Sequence, residues 1–238
     1  SDVLLRMYLL VGGEEVSNYC REKLETNPDS LAANITMFNL AKINRQYGKA
    51  IEYIDRCIGL TEPGSLRRVD YTLKKGDILI LAYEESSDKN YLKTAIADYE
   101  SLLAKMPNNT GVTTVLNNLA YLLAENNERL PKALEYAERA LDDKPNNPVI
   151  LDTYAYVLLK NGKLSQAAEY VAAALQHYGK DKASIPADIY EHKGMIKEKL
   201  GAKSEALAAY KQALEVGGDR LSQKAKQRIE DAIRRISP

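Results

Sequence analysis

Residues 132–148 read KALEYAERALDDKPNNP, and residues 92–109 read LKTAIADYESLLAKMPNN. Each stretch has an alanine near its start, Ala133 or Ala95, and a Pro-Asn-Asn sequence that begins twelve residues after that alanine. A shared spacing of this kind indicates an internal repeat, and a repeat decides the fold class before any single helix or strand is assigned.

The opening alanine recurs along the chain with a base spacing of 34 residues. Neighbouring copies lie 45, 38, 34 and 39 residues apart, and Val16 precedes the first of them by another 34 residues. The five copies are Ala50, Ala95, Ala133, Ala167 and Ala206. The spacing predicts a 34-residue unit with insertions between some copies.

Each unit contains two segments with the apolar spacing of a helix, separated by a turn. In residues 147–179, Asn147 can cap a first helix, Pro148 suits its first turn, and Gly162 can take the left-handed conformation that ends it. A second helix follows from about Leu164, and a proline or glycine after it prevents its continuation. No segment alternates with a period of two residues, so no strand is predicted.

Small residues recur where the two helices of a unit come closest. Antiparallel helices approach closely only if the side chains between their axes are small. First helices carry Ala120, Ala155 and Gly194, and second helices carry Ala133, Ala167 and Ala206. Four residues further along the second helices, the same inward side is predicted to carry Tyr99, Ala137, Val171 and Tyr210.

This 34-residue helix-turn-helix pattern resembles the tetratricopeptide repeat over nearly the whole chain. Three copies carry the resemblance best: LNNLAYLLAENNERLPKALEYAERALDDKPNNP, VILDTYAYVLLKNGKLSQAAEYVAAALQHYG and IYEHKGMIKEKLGAKSEALAAYKQALEVGG. The chain departs from the family pattern in having no tryptophan, and its third copy is predicted to have a first helix lengthened by about two turns.

The resemblance implies an all-α fold, a right-handed α-α superhelix of about six repeats that ends in a capping helix. The predicted repeats are residues 1–28, 30–63, 66–109, 112–145, 147–179 and 186–217, with the capping helix at 219–236, all within a single domain of residues 1–238.

The two ends of the chain differ in polarity. Residues 219–236 have an apolar stripe backed by lysines and arginines, which is typical of a solvated solenoid cap, with a basic binding helix as the alternative. The run from Val3 to Val11 is too apolar to face water on one side, which favours the hypothesis that further repeats lie upstream.

Composition excludes several classes of function. Thirty-three basic and thirty-three acidic residues give no net charge, so a nucleic acid partner is disfavoured. The longest apolar run is too short for a membrane span. Cys20 and Cys57 lack metal-site or redox spacing and are predicted to be buried apolar side chains, with a disulfide as the alternative.

No motif indicates catalysis. The chain has two histidines, His177 and His192, and neither has the spacing of a metal site or a cysteine nearby. Both are interpreted as surface or half-buried side chains. The Gly-Gly pairs lack the pattern that binds phosphate. We therefore predict a protein that is not an enzyme and that uses neither a cofactor nor a metal.

In tetratricopeptide proteins the first helices line a concave groove that commonly takes a peptide or a partner helix, and the resemblance implies the same use here. Helical geometry assigns the predicted groove residues. They are Asn39, Lys42, Asp77, Asn117, Tyr121, Asp152, Tyr156, Asp188, Glu191, Met195 and Glu198. Tyr121 and Tyr156 occupy matching places in adjacent copies, so they are predicted to lie near each other, either to anchor a ligand or to pack between repeats.

The acids Asp152, Asp188, Glu191 and Glu198 favour a basic or polar partner segment. The function predicted is a non-catalytic scaffold for a protein or peptide. Copies four and five resemble bacterial members of the family, some of which are lipoproteins that accompany exopolysaccharide export and protein sorting. The alternatives are a targeting arm of a larger enzyme and a self-assembly module. Localisation stays open between the cytoplasm and a periplasmic, lipoprotein-anchored protein.

Overall fold

The structure, a computed structural model, describes residues 13–106, 112–178 and 185–237. These residues form twelve α-helices and contain no strand, which confirms the predicted all-α class of helix-turn-helix repeats. The helices are α1 (Gly13–Thr26), α2 (Leu31–Ile43), α3 (Tyr47–Gly59), α4 (Leu66–Ser86), α5 (Asn90–Lys105), α6 (Val112–Glu125), α7 (Leu130–Asp143), α8 (Pro148–Lys160), α9 (Leu164–Tyr178), α10 (Ala187–Lys199), α11 (Lys203–Gly217) and α12 (Gln223–Ile236). The run from Val3 to Val11 lies outside the described residues.

Consecutive helices pack against each other in pairs, α2 with α3, α4 with α5, α6 with α7, α8 with α9 and α10 with α11. Each predicted repeat from 30–63 onwards holds one such pair. The chain separates into two compact units, residues 1–111 and 112–238. That residues 1–238 form a single domain stays a prediction.

Local signals fix where the helices begin and end. The Asn147 side chain accepts hydrogen bonds from the backbone N–H groups of Val149 and Ile150, at 3.0 and 3.4 Å, and so caps α8. Gly162, just after α8, has φ +76°, the left-handed conformation that glycine adopts without a Cβ clash. Both roles follow from the local sequence, as predicted.

In the first unit, α4 is the longest helix described, with 21 residues against 13 in α2. It places Lys75 in the interior, where the ammonium lies 2.7 Å from the carboxylates of Asp55 on α3 and Asp98 on α5. A buried cation needs such partners because burial alone disfavours its charge. The two ion pairs therefore tie α4 to both neighbouring helices.

The second unit shows the predicted close approach of small residues. Ala120, Ala133, Ala155, Ala167 and Ala206 are fully buried. Gly194 on α10 lies against the ring of Tyr210 on α11, so closely that a Cβ at position 194 would be 2.6 Å from two ring carbons. The absence of a side chain at this position is what lets α10 and α11 meet.

The first unit contains a second glycine of this kind, which the sequence pattern did not single out. A Cβ at Gly76 on α4 would clash with the ring and hydroxyl of Tyr99 on α5, and that tyrosine is fully buried. The lengthened α4 shifts Gly76 away from the spacing found in the other copies.

Cys20 and Cys57 are both buried and free, as predicted for small apolar side chains. Among the described helices, none has both the length and the apolar composition that a membrane span requires.

Candidate functional site

Three rings of successive first helices stack in the second unit. The ring centroids of Tyr121 on α6 and Tyr156 on α8 lie 5.6 Å apart. On the other side, Tyr156 stacks on the imidazole of His192 on α10, at 4.3 Å and an angle of 21°. We call the side of α6, α8 and α10 that carries these rings the first-helix face. The predicted proximity of the two tyrosines is confirmed.

Tyr156 is the central and most enclosed member of the stack, with 2% of its surface exposed. Its hydroxyl donates a 2.6 Å hydrogen bond to the Glu125 carboxylate of α6. Burial first, and then Glu125, raises the pKa of Tyr156. Tyr156 therefore packs between helices, and it is Tyr121, which is half-buried, that offers an accessible ring.

His192 is buried, and the prediction of a surface or half-buried histidine was wrong. Its Nδ1 lies 3.0 and 2.9 Å from the two carboxylate oxygens of Asp152 on α8. Burial by itself would lower the pKa of His192, but the carboxylates of Asp152, Glu191 and Asp188 raise it overall. The partner stands forty residues earlier in the chain, so no local motif indicated the pair.

The acids of α10 are bound by arginines of the capping helix. Arg228 donates to both carboxylate oxygens of Glu191, at 2.5 and 2.9 Å, and Arg235 donates to both oxygens of Glu198, at 2.8 and 3.0 Å. The Arg235 guanidinium, with the Tyr210 hydroxyl, holds the pKa of Glu198 below its usual range. Each pair is 37 residues apart in sequence, so positions two turns apart on α12 meet positions two turns apart on α10 in a constant register.

These contacts change the meaning of the predicted acidic surface. Asp152, Glu191 and Glu198 already bind cationic or protonatable groups of this chain, and the charged side of α12 is only partly a solvated face. Asp188 is exposed and has no hydrogen bond or ion pair among the described residues. The charges that favoured a basic partner segment are therefore largely compensated within the protein.

We expect Arg228→Ala to destabilise the protein more than Arg235→Ala. Loss of Arg228 leaves the Glu191 carboxylate, only 5% exposed, without its partner. An unpaired buried charge of this kind lowers the free energy of unfolding by about 2 kcal/mol or more. Arg235 and Glu198 are more exposed, at 59% and 22%, and such a pair contributes about 1 kcal/mol or less. Urea unfolding of the two variants measures both values. Equal effects would contradict the burial of Glu191.

One polar atom of the first-helix face has no partner in the described part of the chain. It is the side-chain oxygen of Asn117 on α6, which is buried, while the amide nitrogen of Asn117 makes only a 3.5 Å contact with Asn118. Asn117 stands one turn before Tyr121 on the same helix. A buried acceptor without a donor is unfavourable. Because the oxygen is enclosed, a donor from another molecule reaches it only after the Asn117 side chain turns outward.

The remaining predicted groove residues are more dispersed. Met195 is half-buried on α10. In the first unit, Asn39 on α2 is half-buried, and Lys42 on α2 and Asp77 on α4 are exposed. The structure brings together the predicted residues of the second unit, but four of them are buried rather than open as groove residues would be: Asn117, Asp152, Tyr156 and Glu191.

Sequence reasoning missed the residues that complete this network. Glu125 and Arg228 were not assigned to the groove, and Tyr210 was predicted only to face inward, although each contacts a predicted groove residue. The signal for the arginines was the seven-residue spacing of Glu191 and Glu198, which Arg228 and Arg235 repeat. In residues 13–106, 112–178 and 185–237, no cluster of three or more His, Cys, Asp or Glu side chains is arranged to hold a metal ion.

Comparison with known proteins agrees with this architecture. A family model described as tetratricopeptide repeat matches residues 187–216, which are most of α10 and α11. A TPR repeat-containing protein of Pseudomonas aeruginosa is 33% identical over 90 residues. That match covers 38% of this chain and 15% of the relative, so the chain corresponds to a small part of that protein.

Solved structures resemble nearly the full length of the chain. The crystal structure of PilW, a type IV pilus biogenesis factor, has a TM-score of 0.64 at 16% identity and covers 96% of each chain. That of YrrB, a TPR protein with an unusual peptide-binding site, has a TM-score of 0.51 at 18% identity and covers 89% of this chain and 97% of its own. At these identities the likeness shows the fold alone.

The paired helices, the small residues between them and the side chains linked across first helices define an all-α repeat protein. Residues 187–216 match the tetratricopeptide-repeat family model, and the fold resembles that of solved tetratricopeptide-repeat proteins.

Proposed function

We propose that the protein is a non-catalytic scaffold that binds an extended protein segment along the first helices, and that Asn117 and Tyr121 are the principal contacts in the second unit. The segment lies across the first-helix face, and an apolar group of it packs on the ring of Tyr121. The buried side chain of Asn117 turns outward as the segment binds and accepts a hydrogen bond from a backbone or side-chain amide of the segment.

The observation that carries this proposal is the unpartnered Asn117 oxygen beside a half-buried aromatic ring. Evolved cores rarely leave a buried acceptor unsatisfied unless the group has a role outside packing. Tyrosine is a common anchor at protein interfaces because its ring gives apolar contact and its hydroxyl stays hydrated. Together they provide one directional and one apolar contact within a single helical turn.

The partner proposed is polar and not strongly basic. Three acids of this face are already paired within the protein: Asp152 with His192, Glu191 with Arg228 and Glu198 with Arg235. A cation of the partner would therefore have to displace a group that is already bound. Asp188 is the acid that a single basic residue of the segment can still reach.

Two structural neighbours support a role within a larger assembly. PilW is described as a pilus biogenesis factor, and YrrB as having a peptide-binding site. By analogy, we propose that this chain connects components of a bacterial multiprotein system related to export or the cell envelope.

The experiment is a selection of peptides from a random display library on the wild-type protein, followed by affinity measurements on variants. We expect Tyr121→Ala to weaken the selected peptides by about 30-fold, because an anchoring tyrosine is worth about 2 kcal/mol. Asn117→Leu should weaken them by about tenfold, as expected for the loss of one hydrogen bond.

Stability distinguishes a binding role of Asn117 from a structural one. Because its oxygen has no partner in the described chain, Asn117→Leu should leave the free energy of unfolding unchanged or raise it, while peptide binding weakens. Arg139→Ala, at an exposed position on the second helix α7, is the matched control and should bind like the wild type. Peptides that bind all three variants equally would show that this face is not the site.

A further inference from the structure

The His192–Asp152 pair joins two first helices through the interior of the second unit. The two side chains are 8% and 10% exposed, and the imidazole is stacked on Tyr156. Nδ1 lies within hydrogen-bond distance of both Asp152 oxygens, so the carboxylate is aimed at the ring. The two residues are forty positions apart in sequence, so the pair holds α8 to α10 across a repeat boundary.

Five helices contribute titratable or charged groups around the pair. These groups are Glu125 on α6, Tyr156 and Lys160 on α8, Tyr178 on α9, Asp188 and Glu191 on α10, and Arg228 on α12. Lys160 lies over the ring of Tyr156, and Arg228 is bound to Glu191. In the described residues Asp152 therefore depends on His192 for a positive partner.

We propose that His192 and Asp152 form a pH-sensitive latch, closed while the imidazole is protonated, which releases α10, α11 and α12 from α8 when the imidazole loses its proton. The latch requires no partner protein, so it stands apart from the proposed binding function and can fail or succeed independently of it.

The direction of the effect follows from the charges. In the unfolded chain a histidine has a pKa near 6.5, and the surrounding carboxylates raise the pKa of His192 in the folded protein. The stabilisation is therefore fully present below the unfolded pKa and is lost as the pH rises through the folded pKa. Above that point a buried carboxylate faces a neutral ring, which is a poor partner for it.

We expect α10, α11 and α12 to separate from α8 before the whole protein unfolds. The helices α10, α11 and α12 follow one another within the second unit, and sub-global opening of a group of neighbouring helices is a common low-energy step. We expect the opening equilibrium of residues 187–236 to rise about tenfold for each pH unit between the unfolded and folded pKa values of His192.

Two measurements test the latch on the full chain. Because the protein has only two histidines, NMR titration resolves their imidazole signals, and His177→Gln assigns them. The His192 signal should titrate above pH 6.5. Hydrogen exchange, corrected for the intrinsic rate, should show protection of residues 187–236 falling over the same pH range, while residues 130–160 change less.

The matched variant is the pair Asp152→Asn/His192→Gln, which keeps a hydrogen-bonding pair of similar size without a titrating group. Its protection of residues 187–236 should not depend on pH, whereas His177→Gln should behave as the wild type does. If the protection of residues 187–236 still depended on pH in the double variant, the proposal would be overturned.

If the double variant does not fold, the single variant Asp152→Asn tests the proposal. Removing the carboxylate should move the His192 titration to lower pH by at least one unit, a tenfold change in proton affinity. An unchanged titration would show that Asp152 does not hold the proton, and the latch would be wrong.

Discussion

Replacing Gly194 by valine is expected to lower the free energy of unfolding by about 3 kcal/mol. A Cβ at this position meets three carbons of the Tyr210 ring at 2.6, 2.6 and 2.9 Å. Both residues lie in the interior, and Tyr210 is held by its hydrogen bond to Glu198. The ring cannot turn away without breaking that bond, so α10 and α11 must separate. Urea unfolding followed by far-UV circular dichroism measures the loss as a lower midpoint.

Gly48→Ala is the control for the effect of a glycine substitution itself. Gly48 lies in α3, and a Cβ there would meet no atom within 4 Å. Its replacement should leave stability unchanged or raise it by up to about 1 kcal/mol, because alanine is the better helix former. If Gly194→Val were as stable as Gly48→Ala, the close approach of α10 and α11 would be incorrect.

The elements that repeat in sequence could be predicted because their causes are local. Ala155 and Gly194 are recognisable from spacing alone, and Asn147 and Gly162 from the chemistry of helix ends. A small residue at a helix crossing and a cap at a helix end depend on neighbours within a few positions. The structure confirms these predictions residue by residue.

The side-chain network could not be predicted because it depends on register between helices that are far apart in sequence. His192 stands where copies four and five have Asn118 and Thr153, so no repeated pattern marked it. The insertion before copy six also moves His192 and Asp152 to a separation of 40 residues instead of about 34, and Arg228 and Glu191, which both follow that insertion, are 37 residues apart. Helical periodicity predicts the face on which a residue lies, but whether a neighbouring helix covers that face depends on tertiary packing.

The same limit explains the different outcomes for Tyr121 and Tyr156. Their sequence positions are equivalent, yet Tyr121 is half-buried and Tyr156 is almost fully enclosed. The difference arises because the side chain of His192 covers Tyr156 from the following repeat. Equivalent positions in a repeat protein therefore differ in accessibility according to what the next copy contributes.

Tyr156→Ala is expected to destabilise the protein by about 3 to 5 kcal/mol, the range for removing a large buried ring. The substitution deletes the contacts with Tyr121 and His192 and leaves the Glu125 carboxylate without its donor. Tyr156→Phe separates these contributions, since it keeps the ring and should lose only about 2 kcal/mol for a hydrogen bond to a charged group. Urea unfolding of both variants gives the two values.

Tyr121→Ala provides the comparison for a half-buried ring in the equivalent position and should lose about 1 kcal/mol. Because Tyr156→Ala is expected to destabilise the fold, a loss of binding in that variant would not identify a contact with the bound segment. Binding therefore has to be tested at Tyr121 and Asn117. A loss below about 1 kcal/mol for Tyr156→Ala would instead mean that the ring is free to leave the stack. In that case Tyr156 would join Tyr121 as a contact for the bound segment.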